Sequence, residues 1–258
     1  VKIGLIFAFK SAARSAFNIA AVCAAMSLSA CGFDSKDLDP RAEPLPQASL
    51  PLRLVLAEDA PGVFGNGNER VEIISALEEA ADVWNQAVGR KIIVFDGTRV
   101  ATDVADFPLD KTSRDGRNTI YIFNQFGDTR TTLGTETPTD ILGLCVSRGF
   151  ESDIALTLMA NLTPNGNLVR ASDLVSSTLR KERFDFQSVA IHEFGHALGL
   201  VHDKDKPDSV MWHQGLAVGR VNRALSDSDK RNLRQVLAQR YNFNAEISET
   251  TDVEPVPE

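Results

Sequence analysis

His192-Glu193-Phe194-Gly195-His196-Ala197-Leu198-Gly199-Leu200-Val201-His202 holds three of the chain's four histidines. On a helix, residues four apart share a face, so His192 and His196 present their imidazoles to one point. Glu193 stands one residue round from His192, beside that point and not on it, where a general base belongs. Gly199 admits a positive φ, which lets a helix stop and turn. The turn returns His202 as a third ligand. Three imidazoles around a divalent ion leave the fourth tetrahedral position open, the arrangement of a catalytic zinc site and not of a structural one.

Asp208-Ser209-Val210-Met211 follows His202 at a short distance. Phe186-Gln187-Ser188-Val189-Ala190 leads into the first histidine, and Leu225-Ser226-Asp227-Ser228-Asp229 opens a later helix. Together these residues resemble the metzincin metallopeptidases, and within them the matrixin branch, which places a Met-turn after the third histidine. The resemblance implies an α+β (α/β-like) catalytic domain: a twisted, mostly parallel five-stranded sheet with an active-site helix, a backing helix and a C-terminal helix. It implies one catalytic Zn2+ on His192, His196 and His202, with Met211 as a floor beneath the metal. The implied activity is a zinc endopeptidase in which water activated by the metal attacks a peptide carbonyl and Glu193 is the general base. The substrate, a protein or peptide, would lie extended along an antiparallel edge strand; Asp153 to Met159 is the candidate edge, a plain core strand being the alternative.

Two other functions fit the same motif. One is a non-cutting, metzincin-like binding or assembly lipoprotein that keeps its zinc; the other is a zinc hydrolase acting on a non-protein amide. Intact Glu193 favours the peptidase, because a protein that does not cut has no chemical need for that carboxylate. Asp203 stands where matrixins commonly have Ser or Thr; an Asp at this place resembles the adamalysin branch instead. It is a candidate to orient a histidine or to anchor the chain by a hydrogen bond. His213 occupies a position that in astacins and serralysins holds a tyrosine able to approach the zinc. It is a candidate for weak metal contact or oxyanion stabilisation, the alternative being an exposed turn histidine. Matrixins usually carry a second, structural zinc that needs further histidines, and beyond the three and His213 the chain has none. Calcium could use acidic loops at Asp96-Gly97 or from Asp128 to Asp140.

Outside the domain, Lys2, Lys10 and Arg14 precede an apolar stretch from Phe17 to Ala30 that is too short to span a bilayer. Leu28-Ser29-Ala30-Cys31-Gly32 resembles a bacterial lipobox. On that reading residues 1–30 are a signal peptide, Cys31 carries lipid, and 31–50 is a flexible tether. The expected location is the bacterial cell envelope, with the outer membrane favoured because Gly32 is not the aspartate of inner-membrane retention. Residues 51–242 form the catalytic domain and 243–258 an acidic tail. That tail holds five acids and no base, so it supplies most of the net charge of −8. No basic stripe points to nucleic acid, and a monomer is expected. Of three cysteines, Cys23 leaves with the signal and Cys31 is taken by lipid. Cys145 is left alone, without a disulfide, as a buried small apolar residue or, alternatively, a latency switch.

Within the domain, Leu52 to Leu56 alternates as a strand. Asn68 caps a helix with Ile74, Leu77, Ala81, Trp84 and Val88 on its apolar face, ended by Gly89. Lys91 to Phe95 and Asn118 to Phe123 are β-branched strands. A Thr- and Gly-rich loop covers 124–140. The zinc helix runs from about Asp185 to Gly199, and Ser226 with Asp229 starts the last helix, which reaches Arg240.

Overall fold

The structure, a computed structural model, describes residues 49–57, 67–99, 116–123, 142–148, 151–158, 169, 183–212, 216 and 219–244. The signal segment with Cys31, the tether, the 124–140 loop, His213 and nearly all of the acidic tail lie outside them.

Strand β1 (Leu52–Ala57) alternates Leu52, Leu54 and Leu56 into the core. It pairs parallel with β2 (Ile93–Arg99) on one side and β3 (Asn118–Phe123) on the other. Two parallel neighbours cannot be joined by a tight turn, and helix α1 (Gly67–Val88) makes the crossover from β1 to β2. Its buried stripe is Ile73, Leu77, Ala80, Ala81, Trp84 and Val88. Ile73, not Ile74, therefore centres the first turns; Ile74, a hundred degrees round, is only partly buried. Asn68 lies inside the first turn and does not precede it, so the helix starts two residues earlier than a cap at Asn68 implies. Asn85 closes the helix onto β2. Its Oδ1 accepts from Ile92 N at 2.7 Å and Ile93 N at 2.9 Å, while Nδ2 donates to Ile93 O at 2.9 Å.

The sheet order is β2-β1-β3-β5-β4, where β4 is Gly143–Arg148 and β5 is Glu151–Thr157. This corrects the expected edge. The strand around Asp153 pairs parallel with β3 and antiparallel with β4, so it is interior. The antiparallel edge is β4, a strand that the apolar pattern does not announce. β5 is also buried along its whole length. Its polar residues are consumed internally: Glu151 Oε2 accepts from Gly116 N at 2.7 Å and Asp153 Oδ1 from Thr119 N at 3.0 Å.

Helix α2 (Phe186–Leu198) is buried at every residue. It packs on α1 and on β4 and β5, and the Trp84 indole donates to Ile191 O at 3.0 Å across the helix pair. Helix α3 (Asp227–Tyr241) starts at the Ser226 cap, with the full reciprocal box to Asp229. Its far end returns to the site: Tyr241 OH donates to Leu198 O at 3.1 Å. Among the described residues, no helix is long and apolar enough to cross a membrane.

Trp84 joins the two central helices by both volume and a buried hydrogen bond. Trp84→Phe should lower stability by about 2–4 kcal/mol in urea unfolding. A loss below about 0.5 kcal/mol, the range of ordinary surface substitutions, would contradict its role.

Candidate active site

Both ends of α2 are closed by designed local chemistry. Asp185, fully buried, is the N-cap, and its Oδ2 accepts from Ser188 N at 3.0 Å. Arg223 grips the same carboxylate with two bonds, Nε at 2.7 Å and Nη2 at 2.5 Å. At the other end Gly199 takes φ 108° and ψ 12°. Its N–H donates to His196 O at 2.8 Å and the N–H of Leu200 to Gly195 O at 2.9 Å, which is the Schellman closure. The bend expected at Gly199 is therefore present, and it carries the chain back to His202.

The three rings converge. His196 Nε2 lies 3.1 Å from His192 Nε2 and 3.2 Å from His202 Nε2. His192 Nδ1 is 2.6 Å from Val210 O, and His196 Nδ1 is 2.9 Å from Leu200 O. A carbonyl only accepts, so both Nδ1 atoms carry the proton and both Nε2 atoms present lone pairs. Lone pairs at such distances repel unless a cation lies between them. Ligand nitrogens around a tetrahedral zinc, each at about 2.0–2.1 Å from it, sit roughly 3.3–3.4 Å apart. The trio thus fits zinc, and among the described residues it is the only His, Cys, Asp or Glu group assembled to hold a metal.

Asp229 holds the Met-turn in place. Its buried carboxylate accepts from Ser209 Oγ at 2.5 Å and Val210 N at 3.0 Å, besides the cap bonds from Ser226 N at 2.8 Å and Ser226 Oγ at 2.7 Å. Val210 in turn receives His192, so the start of α3 orients a candidate metal ligand through one residue. Met211 is fully buried. A Cβ on Gly195 would overlap its sulfur and come within 2.9 Å of Trp84 Cζ2. Gly195 therefore lets the Met211 side chain lie against the histidine helix, as a floor requires. The sequence marks Asp185 as the start of the helix, but nothing local in it shows the Arg223 pair, the part played by Gly195 or the second task of Asp229. The Ser226/Asp229 box was the one visible signal.

Glu193 is buried, 1% exposed, one residue on from His192. The Asp203 carboxylate turns to the chain and not to a ring: Oδ1 accepts from Asp205 N at 2.9 Å and Lys206 N at 3.1 Å, and Oδ2 accepts from Ser228 Oγ. Its backbone N–H donates to Met211 O at 2.7 Å, which ties the segment after His202 to the Met-turn. Of the calcium candidates, Asp96 pairs with Arg53 at 3.2 Å, and 128–140 lies outside the described residues. Cys145 is buried within β4. Burial, then the Glu193 charge, pushes its thiol far above the usual range, so it packs as a small apolar group. Beside His192, Trp212, Leu216, Arg220 and Asn222 surround a recess of about 20 Å³.

Burial holds His192 and His196 below the ordinary histidine pKa of 6.5, and at His196 the two neighbouring rings add to the effect. A depressed value keeps the ring neutral, as a ligand must be. Folding disfavours protonation here, so these groups' share of stability is present above 6.5 and is lost as pH falls below it. Denaturant midpoints of the zinc-free protein should stay level down to the histidine range and then decline. A rise in stability on entering that range would contradict the burial argument.

The matrixin family model matches residues 68–238, a span that runs from α1 into α3 and takes in every residue of the site. No curated protein matches the sequence. A solved structure of myroilysin matches over 80% of this chain and 86% of its own, at 14% identity and a TM-score of 0.36, which marks only a distant likeness. With its histidine trio, Met-turn and family match in agreement, the chain belongs to the matrixins, a family of zinc metallopeptidases.

Proposed function

We propose that the protein is a zinc-dependent endopeptidase that hydrolyses peptide bonds with Glu193 as general base, tethered to a bacterial envelope through lipid on Cys31. One observation carries the catalytic part: three imidazoles bring their Nε2 atoms to one point, two of them held neutral with the lone pair facing inward, with a buried carboxylate on the adjoining residue. Zinc held there would polarise a peptide carbonyl and make water a better nucleophile at neutral pH. Glu193 takes the proton from the attacking water on its carboxylate and returns it to the leaving amine. His192 and His196 stay neutral because burial disfavours their charged form, and the Nδ1–H bonds to Val210 and Leu200 fix which nitrogen faces the shared point.

Burying a carboxylate costs free energy unless something recovers it. This supports the cutting enzyme over a non-cutting zinc lipoprotein, which has no use for an acid at 193. The substrate chain is read as a further strand on β4, the antiparallel end of the sheet, where main-chain pairing supplies affinity with little sequence demand. Anchoring rests on the lipobox-like run ending at Cys31, which lies outside the described residues.

Glu193→Ala should keep its zinc in metal analysis and lose about 10²–10⁴-fold in turnover of a peptide library. His196→Ala should lose the zinc itself. Undiminished turnover by the Glu193 variant would remove the base from the mechanism. For the anchor, radiolabelled fatty acid should enter the full-length protein in bacteria and be absent from Cys31→Ser; equal labelling of both would refute it.

A further inference from the structure

Gly143 opens β4, and its glycine is not demanded by the backbone, since its φ is outside the left-handed region. A glycine in a strand weakens it and often marks a close approach by another group. Here that group is one side chain. A Cβ at Gly143 would lie 2.5 Å from Glu193 Oε1, 2.7 Å from Cγ and 2.9 Å from Cδ, so its three nearest atoms all belong to Glu193.

We propose that Gly143 is a positioning residue for the general base: the missing side chain is the recess that seats the Glu193 carboxylate. This rests on Glu193 being the base. Neither backbone can yield. β4 is zipped to β5 from Gly143 to Arg148, and the residue before it is held by Thr157 N donating to Leu142 O at 3.0 Å. α2 is fixed by its caps and by Trp84. The Glu193 carboxylate, at the end of a flexible chain, is the part that moves when the recess is filled. The fold then survives and the proton acceptor is misplaced. Cys145, on the same strand, senses the nearby acid, since the Glu193 charge is the second cause of its raised pKa after burial.

The test is a double-mutant cycle on the zinc-loaded protein with Gly143→Ala, Glu193→Asp and their combination, and with Glu193→Ala as reference. Gly143→Ala should lower kcat about 100-fold, the effect of a misplacement of order 1 Å, with KM and zinc content unchanged. Aspartate is shorter by one methylene and makes room for the new methyl, so the double variant should be faster than Gly143→Ala alone, a clear departure from additivity. A crystal structure of zinc-free Gly143→Ala should show the carboxylate displaced. Wild-type kcat in Gly143→Ala, multiplicative losses in the cycle, or an unmoved carboxylate would each overturn the proposal. If Gly143→Ala lowers the thermal midpoint, Glu193→Asp should restore it, and failure to do so also counts against the contact. If Glu193→Ala stays active, the base assignment fails, and the displacement in the crystal still judges the seat on its own.

Discussion

Three imidazole rings are held with their Nε2 atoms together, those of His192 and His202 at 3.1 and 3.2 Å from that of His196. Two of the rings cannot turn away, because their opposite nitrogens donate to backbone carbonyls: His192 to Val210, His196 to Leu200. Those carbonyls are fixed in turn, one by the Met-turn and the other by the Schellman bend at Gly199. The three nitrogens so placed fit the ligand set of one divalent cation. The rest of the domain serves to keep these donors aimed.

That service is distributed over distant parts of the chain. Asp229 is both the box of one helix and the clamp on Ser209 and Val210. Asp185 caps the histidine helix and also binds Arg223. Asn222, beside that arginine, accepts no slack: its N–H donates to Ser188 Oγ at 2.8 Å and its Nδ2 to Ser209 O at 3.0 Å. The segment after the Met-turn is thereby stitched to the start of α2 and to the turn at once. Buried, satisfied polar networks of this kind rigidify a site, because each lost partner strands another group in low dielectric. The apolar core beneath, from Trp84 to Met211, supplies the dense packing against which the network sets.

Local signals were readable and distant ones were not. The limits of α2 and α3 followed from Asp185, Gly199, Ser226 and Asp229, because caps act within one turn of chain. β4 escaped notice because Leu144-Cys145-Val146 is a short apolar run flanked by Gly143 and Ser147, and its pairing with β5 is what makes it a strand. For β5 the sequence leaves edge and core strand open, and only its pairing on both sides, with Glu151 and Asp153 bonded within the protein, decides for the interior. The Asp185–Arg223 pair spans 38 residues of chain and leaves no local trace. Glycines 143 and 195 have the same character: a missing side chain becomes informative only once the neighbour that fills its place is known.

X-ray absorption spectroscopy on the purified domain, loaded with zinc, addresses the convergence of the three rings most directly. The account predicts three imidazole nitrogens at about 2.0–2.1 Å and one further light-atom ligand, with no sulfur near 2.3 Å. A sulfur shell, or fewer than three imidazoles, would contradict it.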